Sequence, residues 1–440
     1  MSKINKEIFK WIIVILILLF IPYGVILILS VFCILFIGKR LTNLDLILLY
    51  FLIFFVQNAS VEGGEESNIK NLKYILILLS LLLTVGQKGF SIRPLFSKAF
   101  YFPVLFLFLL IHSLIFSYDP ANSLVEELIF GLMIIFTYKN TYFENIYNRK
   151  KVLINIEAMY IALLLSSVFS FLIPSISYLR NGVGFQGVSI HPNAFGIVMA
   201  PFCGLLLLRL FQKYTTKDLV LFVLSFSCIY LSQSRTSLLS IFLGLFTLMV
   251  IDSELRRLIS KKMLALLIFS SSFFLFYYDK INNLIFSFLN KTNSATITDS
   301  ILASRGSLIE NQMVNIENHP FFGIGFKIPS DLKPMQEAFS IGKAYEKGNA
   351  LLAGVEELGI IGAIVLLITL IYIMKIRNNK NNIFLILPLI ALFTTIGEAT
   401  LFSIGGVGVL VWTLIFICMH NRFLEQKIEN RKKFAKTIPK

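Results

Sequence analysis

The sequence predicts an all-α integral membrane protein, a polytopic bundle of about 12–14 transmembrane helices with one long extracytoplasmic loop. Hydrophobic residues make up 56% of the 440 residues, charged residues make up only 15%, and the mean hydropathy is +0.79. Ordinary soluble domains carry about 25% charged residues. Apolar runs of bilayer-spanning length recur between residues 9 and 420. A chain with so much apolar surface cannot bury it in a single soluble core.

The apolar runs define the individual spans and the organisation of the chain. Pro22 interrupts the first run, which indicates a hairpin of two spans, a re-entrant pair of half-helices or one kinked helix. A polar interval, 279–348, separates the N-terminal helices, 1–278, from the C-terminal helices, 349–420, and a basic tail follows at 421–440. The predicted spans lie near 9–21, 23–38, 44–57, 71–86, 99–117, 122–138, 153–173, 192–211, 218–233, 236–251, 262–278, 349–374, 382–397 and 400–420.

The distribution of the net charge of +15 predicts the orientation of these spans. With the N-terminus inside, short cytoplasmic segments hold 29 of the 40 Lys and Arg residues, whereas short outer loops hold 4. This contrast follows the positive-inside rule, from which long loops are largely exempt. Both termini are therefore expected in the cytoplasm, with the loop 279–348 outside the cytoplasmic membrane. The basic residues are expected to meet membrane lipids, and no nucleic-acid partner is predicted.

The long loop contains a predicted helix and a predicted turn. Residues 301–316 carry apolar side chains at roughly helical spacing, and Asp299 or Ser300 is a candidate N-cap. The segment 318–325 then contains a Pro and two Gly, which favour a tight turn. We expect a short amphipathic helix on the outer membrane surface. Its apolar positions are Leu302, Leu308, Ile309, Met313 and Ile316.

Three arginines, Arg180, Arg235 and Arg305, fall on the predicted outer face, and Lys347 is a further cation there. A cation at the joint between two apolar helices is costly unless it snorkels to the interface or meets an anion. A guanidinium presents a planar fork of donors that suits phosphate oxygens. Converging arginines could therefore bind a pyrophosphate and stabilise it as a leaving group.

Activation of an acceptor would require a base on the same face. The carboxylate candidates are Glu346 at the end of the loop, Glu356 and Glu357 in the following span, and Glu398 at an outer hairpin. Carboxylates within the membrane are expensive, so Glu356 and Glu357 have either a functional role or a helix–helix contact. His191 and His319 each precede a Pro, which is more typical of a turn-forming role.

Four stretches in this order resemble the O-antigen polymerase and O-antigen ligase superfamily of bacterial envelopes, and together the resemblance covers roughly residues 160–415. They are Gly187–Gly196 with its Pro-Asn turn, Ser232–Leu239 with its Ser-Arg motif, Arg305 followed by the His-Pro-x-x-Gly-x-Gly turn at His319–Gly325, and Asn349 with Glu356–Gly362. The resemblance implies a GT-C-like fold. It also implies glycosyl transfer on the outer leaflet from an undecaprenyl-diphosphate glycan to a lipid-linked acceptor, without metal or cofactor.

The resemblance also implies roles for individual residues. Arg235 and Arg305 would bind the diphosphate, with Arg180 as an auxiliary cation. The candidate base, Glu346, comes from its position at the end of the outer loop and not from the resemblance. The remaining substrate-binding candidates are Arg180, Lys347, Asn349, His191, Glu356 and Glu398. A chain-length regulator and a flippase are candidate partners.

One departure from the family pattern favours a polymerase of capsule, O-antigen or exopolysaccharide. Ligases of this family have a His before the Asn that opens the post-loop helix, whereas this chain reads Glu346-Lys347-Gly348-Asn349. Two alternatives remain open. One is a ligase that transfers glycan to a lipid core or another acceptor, and the other is a flippase of lipid-linked oligosaccharides. A transporter is expected to line a midplane cavity with polar residues and to contain repeats.

Overall fold

The protein is described by a computed structural model. The structure describes residues 3–21, 24–37, 42–57, 75–78, 101–178, 184–253, 255–257, 297–331, 347, 350–374 and 382–417. The predicted span 262–278, most of the span 71–86, and the boundaries at 278, 348 and 420 lie outside these residues.

The described residues are helical, and an isolated bridge between Val56 and Ser189 is the only β-type pairing found among them. The helices, numbered here in chain order, are α1 Lys3–Phe20, α2 Gly24–Ile37, α3 Asn43–Phe55, α4 Tyr101–Phe116, α5 Pro120–Ser170, α6 Pro174–Ser177, α7 Pro192–Gln212, α8 Thr216–Leu231, α9 Arg235–Ile251, α10 Ile297–Asn318, α11 Ala350–Met374, α12 Ile386–Gly397 and α13 Gly406–Ile417, with a 3-10 turn at Asn382–Leu385 before α12. The predicted all-helical architecture is confirmed for this part of the chain.

Four stretches of the described helices are long and apolar enough to cross a membrane. They are Pro120–Thr141 and Lys150–Ser170 within α5, then Pro192–Gln212 and Ala350–Ile371. Five further apolar helices are shorter, namely Asn43–Phe55, Phe102–Phe116, Arg235–Ile251, Ile386–Gly397 and Gly406–Ile417. The chain is therefore a multi-pass membrane protein. The total of 12–14 spans, the orientation and the GT-C-like arrangement stay predictions.

The N-terminal apolar run forms two helices rather than one. α1 ends at Phe20 and α2 begins at Gly24, on either side of the predicted break. The rings of Trp11 and Phe32 lie 6.4 Å apart, whereas a straight helix would separate these positions by about 31 Å. The run therefore folds back on itself and is not one kinked helix, and the choice between two spans and a re-entrant pair of half-helices stays a prediction.

α5 is continuous over 51 residues, where the sequence predicted two separate spans. It nevertheless cannot be straight, because a straight helix would place Phe136 about 46 Å from Ser167. The ring of Phe136 lies 5.7 Å from that of Tyr50, and the Ser167 hydroxyl accepts from the Val188 amide at 3.3 Å. Val188 in turn accepts from the Gln57 amide, only seven residues from Tyr50. α5 therefore bends between Phe136 and Ser167.

Buried polar contacts tie α1, α3 and α5 together. The Trp11 indole donates to the Asn155 side chain at 2.8 Å, and Asn155 donates to Asp45 at 2.7 Å. Lys10 also lies 2.7 Å from Asp45, which forms a capping box with Thr42 at the start of α3. Unpaired polar groups inside an apolar bundle are costly, so these contacts fix the register of the three helices.

Candidate active site

The Ser-Arg motif and the Pro-Asn motif meet at one end of the bundle. Gly196 of α7 packs so close to the residue before Arg235 that an added Cβ would lie 2.4 Å from Ser234 Cβ. On the other side, a Cβ on Gly397 would lie 2.1 Å from Thr236 Cγ2. Arg235 therefore begins α9 between two close helix contacts. We call the residues Asn193, Gly196, Arg235, Gly397 and Glu398 the Arg235 joint.

The Asn193 side chain completes this joint. Its amide donates to Glu398 Oε1 at 2.9 Å and so links the first turn of α7 to the end of α12. The preceding residue, His191, is the N-cap of α7, and its Nδ1 accepts from the Asn193 backbone amide at 3.1 Å. His191 thus has the turn-forming role that its neighbouring Pro192 indicated. Pro at the first helical position suits the same helix start.

The connection between α8 and α9, which precedes Arg235, is short and its backbone is strained at Gln233. α8 ends at Leu231 and α9 begins at Arg235, and Gln233 between them has a φ of +56°. A positive φ is uncommon for a residue with a side chain and costs of order 1–3 kcal/mol, so it persists where the surroundings impose it. Next to Gln233 in the chain, Ser234 and Thr236 lie in close contact with Gly196 of α7 and Gly397 of α12.

The loop helix α10 is longer than predicted and buries different positions. It begins at Ile297, so that Asp299 and Ser300 lie in its first turn and the predicted N-cap is wrong. An acidic residue such as Asp299 also suits the first turn, because it faces the positive end of the helix dipole. The sequence signal for an N-cap and for a first-turn residue is therefore similar. Near its C-terminal end the buried side chains are Gln312 and Asn315, whereas the predicted apolar position Met313 is exposed.

These polar side chains of α10 are buried because α11 supplies a carboxylate for them. Glu356 is fully buried, with 0% of its surface exposed. It accepts from Gln312 at 3.3 Å and from Asn315 at 2.7 Å, and also from Ser330 and Lys347, each at 3.0 Å. We call Glu356 with these four partners the Glu356 network.

Lys347 belongs to this network through two ion pairs. Its ammonium lies 3.0 Å from Glu356 Oε2 and 3.0 Å from Glu357 Oε1, and all three side chains are buried. A lysine held by two carboxylates in this way is engaged within the protein. The contact favours an ordering role for Lys347 over the direct substrate contact that the sequence suggested.

The predicted glycine turn follows α10 and docks into a break in α11. Gly359 interrupts that helix with φ +66° and ψ 179°, which frees backbone groups on either side of it. The amides of Ile324 and Gly325 donate to the carbonyls of Glu356 and Glu357, at 2.8 Å and 3.0 Å. In the opposite direction, Ile360 N donates to Pro320 O at 2.9 Å. The turn and the helix break therefore satisfy one another's backbone.

The junction of α4 and α5 holds the other side of the turn. The Tyr118 hydroxyl and His319 Nε2 lie 2.6 Å apart, and the Ser123 hydroxyl donates to Phe326 O at 2.9 Å. Lys327 pairs with Glu126 at 3.0 Å. His319 therefore anchors the turn, in agreement with the structural role that its position before Pro320 favoured.

An aromatic contact links the turn to the Arg235 joint. The ring of Phe326 meets that of Phe402 edge-on, with the centroids 5.2 Å apart. Phe402 follows Glu398 by four residues, in the connection between α12 and α13. The turn after α10 and the start of α9 therefore lie at the same end of the bundle.

The predicted site residues divide into those that the structure describes and those that it does not. Arg235, His191, Lys347, Glu356 and Glu398 have the contacts given above. Arg305 lies on α10, but its side chain is outside the described part, as are Arg180, Glu346 and Asn349 entirely. The convergence of Arg180, Arg235 and Arg305 on one diphosphate stays a prediction.

Three of the polar partners of Glu356, namely Gln312, Asn315 and Ser330, were not predicted from the sequence. Gln312 and Asn315 are three residues apart and so share one face of α10, which is the available signal for a buried polar stripe. Ser330 and Tyr118 carry no comparable signal. In the part of the chain that the structure describes, no three His, Cys, Asp or Glu side chains are grouped as metal ligands. Metal-independent transfer stays a prediction.

Residues 220–367 match the family model described as O-antigen ligase, which confirms the resemblance to the O-antigen polymerase and ligase superfamily. The matched segment runs from α8 to α11 and includes Arg235, Arg305, the glycine turn and Glu356. No curated protein matches the chain significantly.

Proposed function

We propose, from the match of residues 220–367 to the O-antigen ligase family model, that this membrane protein is a polysaccharide polymerase. It would transfer a growing undecaprenyl-diphosphate-linked glycan onto a lipid-linked repeat unit at the outer face of the cytoplasmic membrane. The product would be a capsule, O-antigen or exopolysaccharide.

The observation that carries this proposal is the position of Arg235. It begins a membrane helix at the end of the bundle where the loop turn docks, and close helix contacts hold the residues on both sides of it. A cation at such a helix end is well placed for the headgroup of a lipid whose tail lies in the bilayer. The guanidinium fork suits the two phosphates of a diphosphate headgroup.

In the proposed reaction, the hydroxyl of the acceptor sugar attacks the anomeric carbon of the donor glycan. The bond between this carbon and the phosphate oxygen breaks, and undecaprenyl diphosphate leaves with the bonding electrons. Arg235 and Arg305, with Arg180 as an auxiliary cation, would stabilise the negative charge on the leaving group. Glu346 would accept the proton of the attacking hydroxyl.

The polymerase is preferred over the ligase because of the segment before α11. This segment has Glu346 and Lys347 but no His before Asn349, and a His there is the proposed base of ligases in this family. If the protein is a ligase instead, it should transfer glycan to a lipid core or another acceptor when lipid-linked repeat units are the only donor. A genomic neighbourhood with glycosyltransferases and a flippase would favour the polymerase, with the flippase and a chain-length regulator as partners.

The direct test uses protein reconstituted in vesicles with lipid-linked repeat units on the accessible leaflet. We expect polymer from the wild type, and single-repeat material only from Arg235→Ala and Arg305→Ala. Loss of one donor that stabilises developing charge typically costs about 10²–10³-fold in rate. The Lys variants are expected to stay impaired, because Lys lacks the bidentate fork.

Arg257→Ala is the matched control, because Arg257 is exposed beyond the other end of α9. It is expected to leave polymer length unchanged. Normal polymer in both Arg235→Ala and Arg305→Ala would contradict the mechanism. A wild type that makes no product from donor already on the correct leaflet, but moves donor across the bilayer, would establish the flippase alternative.

A further inference from the structure

Glu356 connects three separate segments of the loop to one membrane helix. Gln312 and Asn315 are on α10, Ser330 follows the glycine turn, and Lys347 lies just before α11. Glu356 itself is in the second turn of α11. One carboxylate therefore contacts the loop helix α10, Ser330 after the glycine turn and Lys347 before α11.

The contacts of Glu356 are with donors inside the protein. Its Oε2 accepts from Gln312, Ser330 and Lys347, and its Oε1 accepts from Asn315. Its side chain is also fully buried. A sugar hydroxyl would have to displace an internal partner and leave a buried charge less well satisfied, which is costly.

The contacts on α10 are suited to fixing the position of that helix. Gln312 and Asn315 are one helical turn apart and both donate to Glu356, so together they restrict rotation of α10 and its sliding along α11. Arg305 lies seven residues before Gln312 on the same continuous helix. A displacement of α10 at Gln312 would therefore move the backbone that carries Arg305.

A second contact of Glu356 is its ion pair with Lys347, the residue that follows the proposed base in the sequence. Glu346 is the chain neighbour of Lys347, and the Lys347 ammonium is held between Glu356 and Glu357. The carboxylate that fixes α10 thus also fixes the residue next to Glu346. Glu356 therefore contacts both α10, which carries Arg305, and Lys347.

We infer that Glu356 is a positioning residue, which acts through Asn315 and Gln312 to hold the Arg305 helix in its reactive arrangement and also holds Lys347, the chain neighbour of Glu346, by an ion pair. This inference rests on the proposed function for the roles of Arg305 and Glu346. It replaces the substrate-binding role that the sequence suggested for Glu356. A displacement of about 1 Å in a catalytic arrangement can cost about 10²-fold in rate, so a group that never meets the substrate can control turnover.

A double-mutant cycle in the vesicle assay tests the inference. Asn315→Ala and Glu356→Gln are each expected to lower kcat by up to about 10²-fold, with a smaller change in KM. Because both variants break the same link, the double variant should be no slower than Glu356→Gln alone. The matched control is Asn311→Ala, one turn earlier on α10, where the side chain is exposed; it should keep wild-type kcat.

Hydrogen exchange of the turn amides gives a second measurement that does not depend on turnover. Ile324 N and Gly325 N donate to the carbonyls of Glu356 and Glu357, so their exchange should accelerate in Glu356→Gln and Asn315→Ala but not in Asn311→Ala. A fully active Asn315→Ala beside an inactive Glu356→Gln would overturn the inference, since Glu356 would then act directly. Unchanged exchange in both variants would also overturn it. If the proposed function is wrong, the wild type will make no glycan product. The exchange of the Ile324 and Gly325 amides will still accelerate in Glu356→Gln and Asn315→Ala.

Discussion

The side-chain amide of Asn193 lies 2.9 Å from the carboxylate of Glu398, although 205 residues separate them in sequence. This hydrogen bond joins the first turn of α7 to the residue that ends α12. Arg235 begins α9 beside both helices, because its neighbours Ser234 and Thr236 contact Gly196 and Gly397. The Asn193–Glu398 contact therefore closes the set of helices that holds Arg235.

Removal of this contact is expected to weaken both stability and glycan transfer. A hydrogen bond to a charged group contributes about 1.5–3 kcal/mol. Asn193→Ala and Glu398→Gln should each lower the thermal stability of the purified protein and slow polymer formation, because the helices around Arg235 lose one link. The melting temperature and the rate of polymer formation would be measured for both single variants and the double variant. Additive effects would show that the two residues act independently and would contradict this interpretation.

Gly359 is predicted to be irreplaceable because the glycine turn occupies the space around it. Its φ is +66°, and an added Cβ would lie 2.1 Å from Phe321 O. Gly359→Ala should therefore displace the turn, add backbone strain of about 1–3 kcal/mol and abolish polymer formation. Exchange of the Ile324 and Gly325 amides would report the displacement.

Gly354 provides the matched control for this substitution. It lies in the same helix, and an added Cβ would meet no atom within 4 Å. Gly354→Ala should keep activity and gain up to about 1 kcal/mol from its helix propensity. Equal loss of activity in Gly354→Ala and Gly359→Ala would show that this part of α11 tolerates no substitution. Displacement of the docked turn would then not be the cause of the loss.

The sequence could predict those features whose signals are local. Pro22 marks the N-terminal hairpin, and the two glycines after Pro320 mark the turn that follows α10. The apolar runs gave the bounds of α7, α9 and α11 to within one or two residues. In each case the backbone preference of a residue, or the length of an apolar run, specifies the structure without long-range contacts.

Features that depend on distant partners could not be predicted in this way. The carboxylate of Glu356 was recognised as expensive in a membrane, but its partners come from three other segments. The continuity of α5 was missed because the polar stretch between its apolar parts is typical of a loop. The burial of Gln312 and Asn315 and the exposure of Met313 were not predicted, since a charged partner can make polar positions the buried ones.

Asn155 is expected to affect stability without affecting chemistry. It accepts from Trp11 and donates to Asp45 in the contacts between α1, α3 and α5. Asn155→Leu would leave the indole and the buried carboxylate each without this partner, at a cost of about 1–3 kcal/mol per group. The melting temperature should fall clearly, whereas kcat of the remaining folded protein should match the wild type. A fall in kcat comparable to that of Asn193→Ala would show that these contacts also control the site.

The orientation of the chain is the last prediction, and single-cysteine labelling can test it. Glu317 near the end of α10 and Arg257 beyond α9 are both exposed, and the charge distribution predicts that they lie on opposite sides of the membrane. In a variant without Cys33, Cys203, Cys228 and Cys418, a membrane-impermeant maleimide should label Glu317→Cys in intact spheroplasts. Arg257→Cys should react only after permeabilisation, and its loss removes one of 29 cytoplasmic cations, too few to invert the chain. Labelling of Arg257→Cys in intact spheroplasts would place the start of α9 and the docked turn on the cytoplasmic side, where the proposed polymerase reaction could not occur.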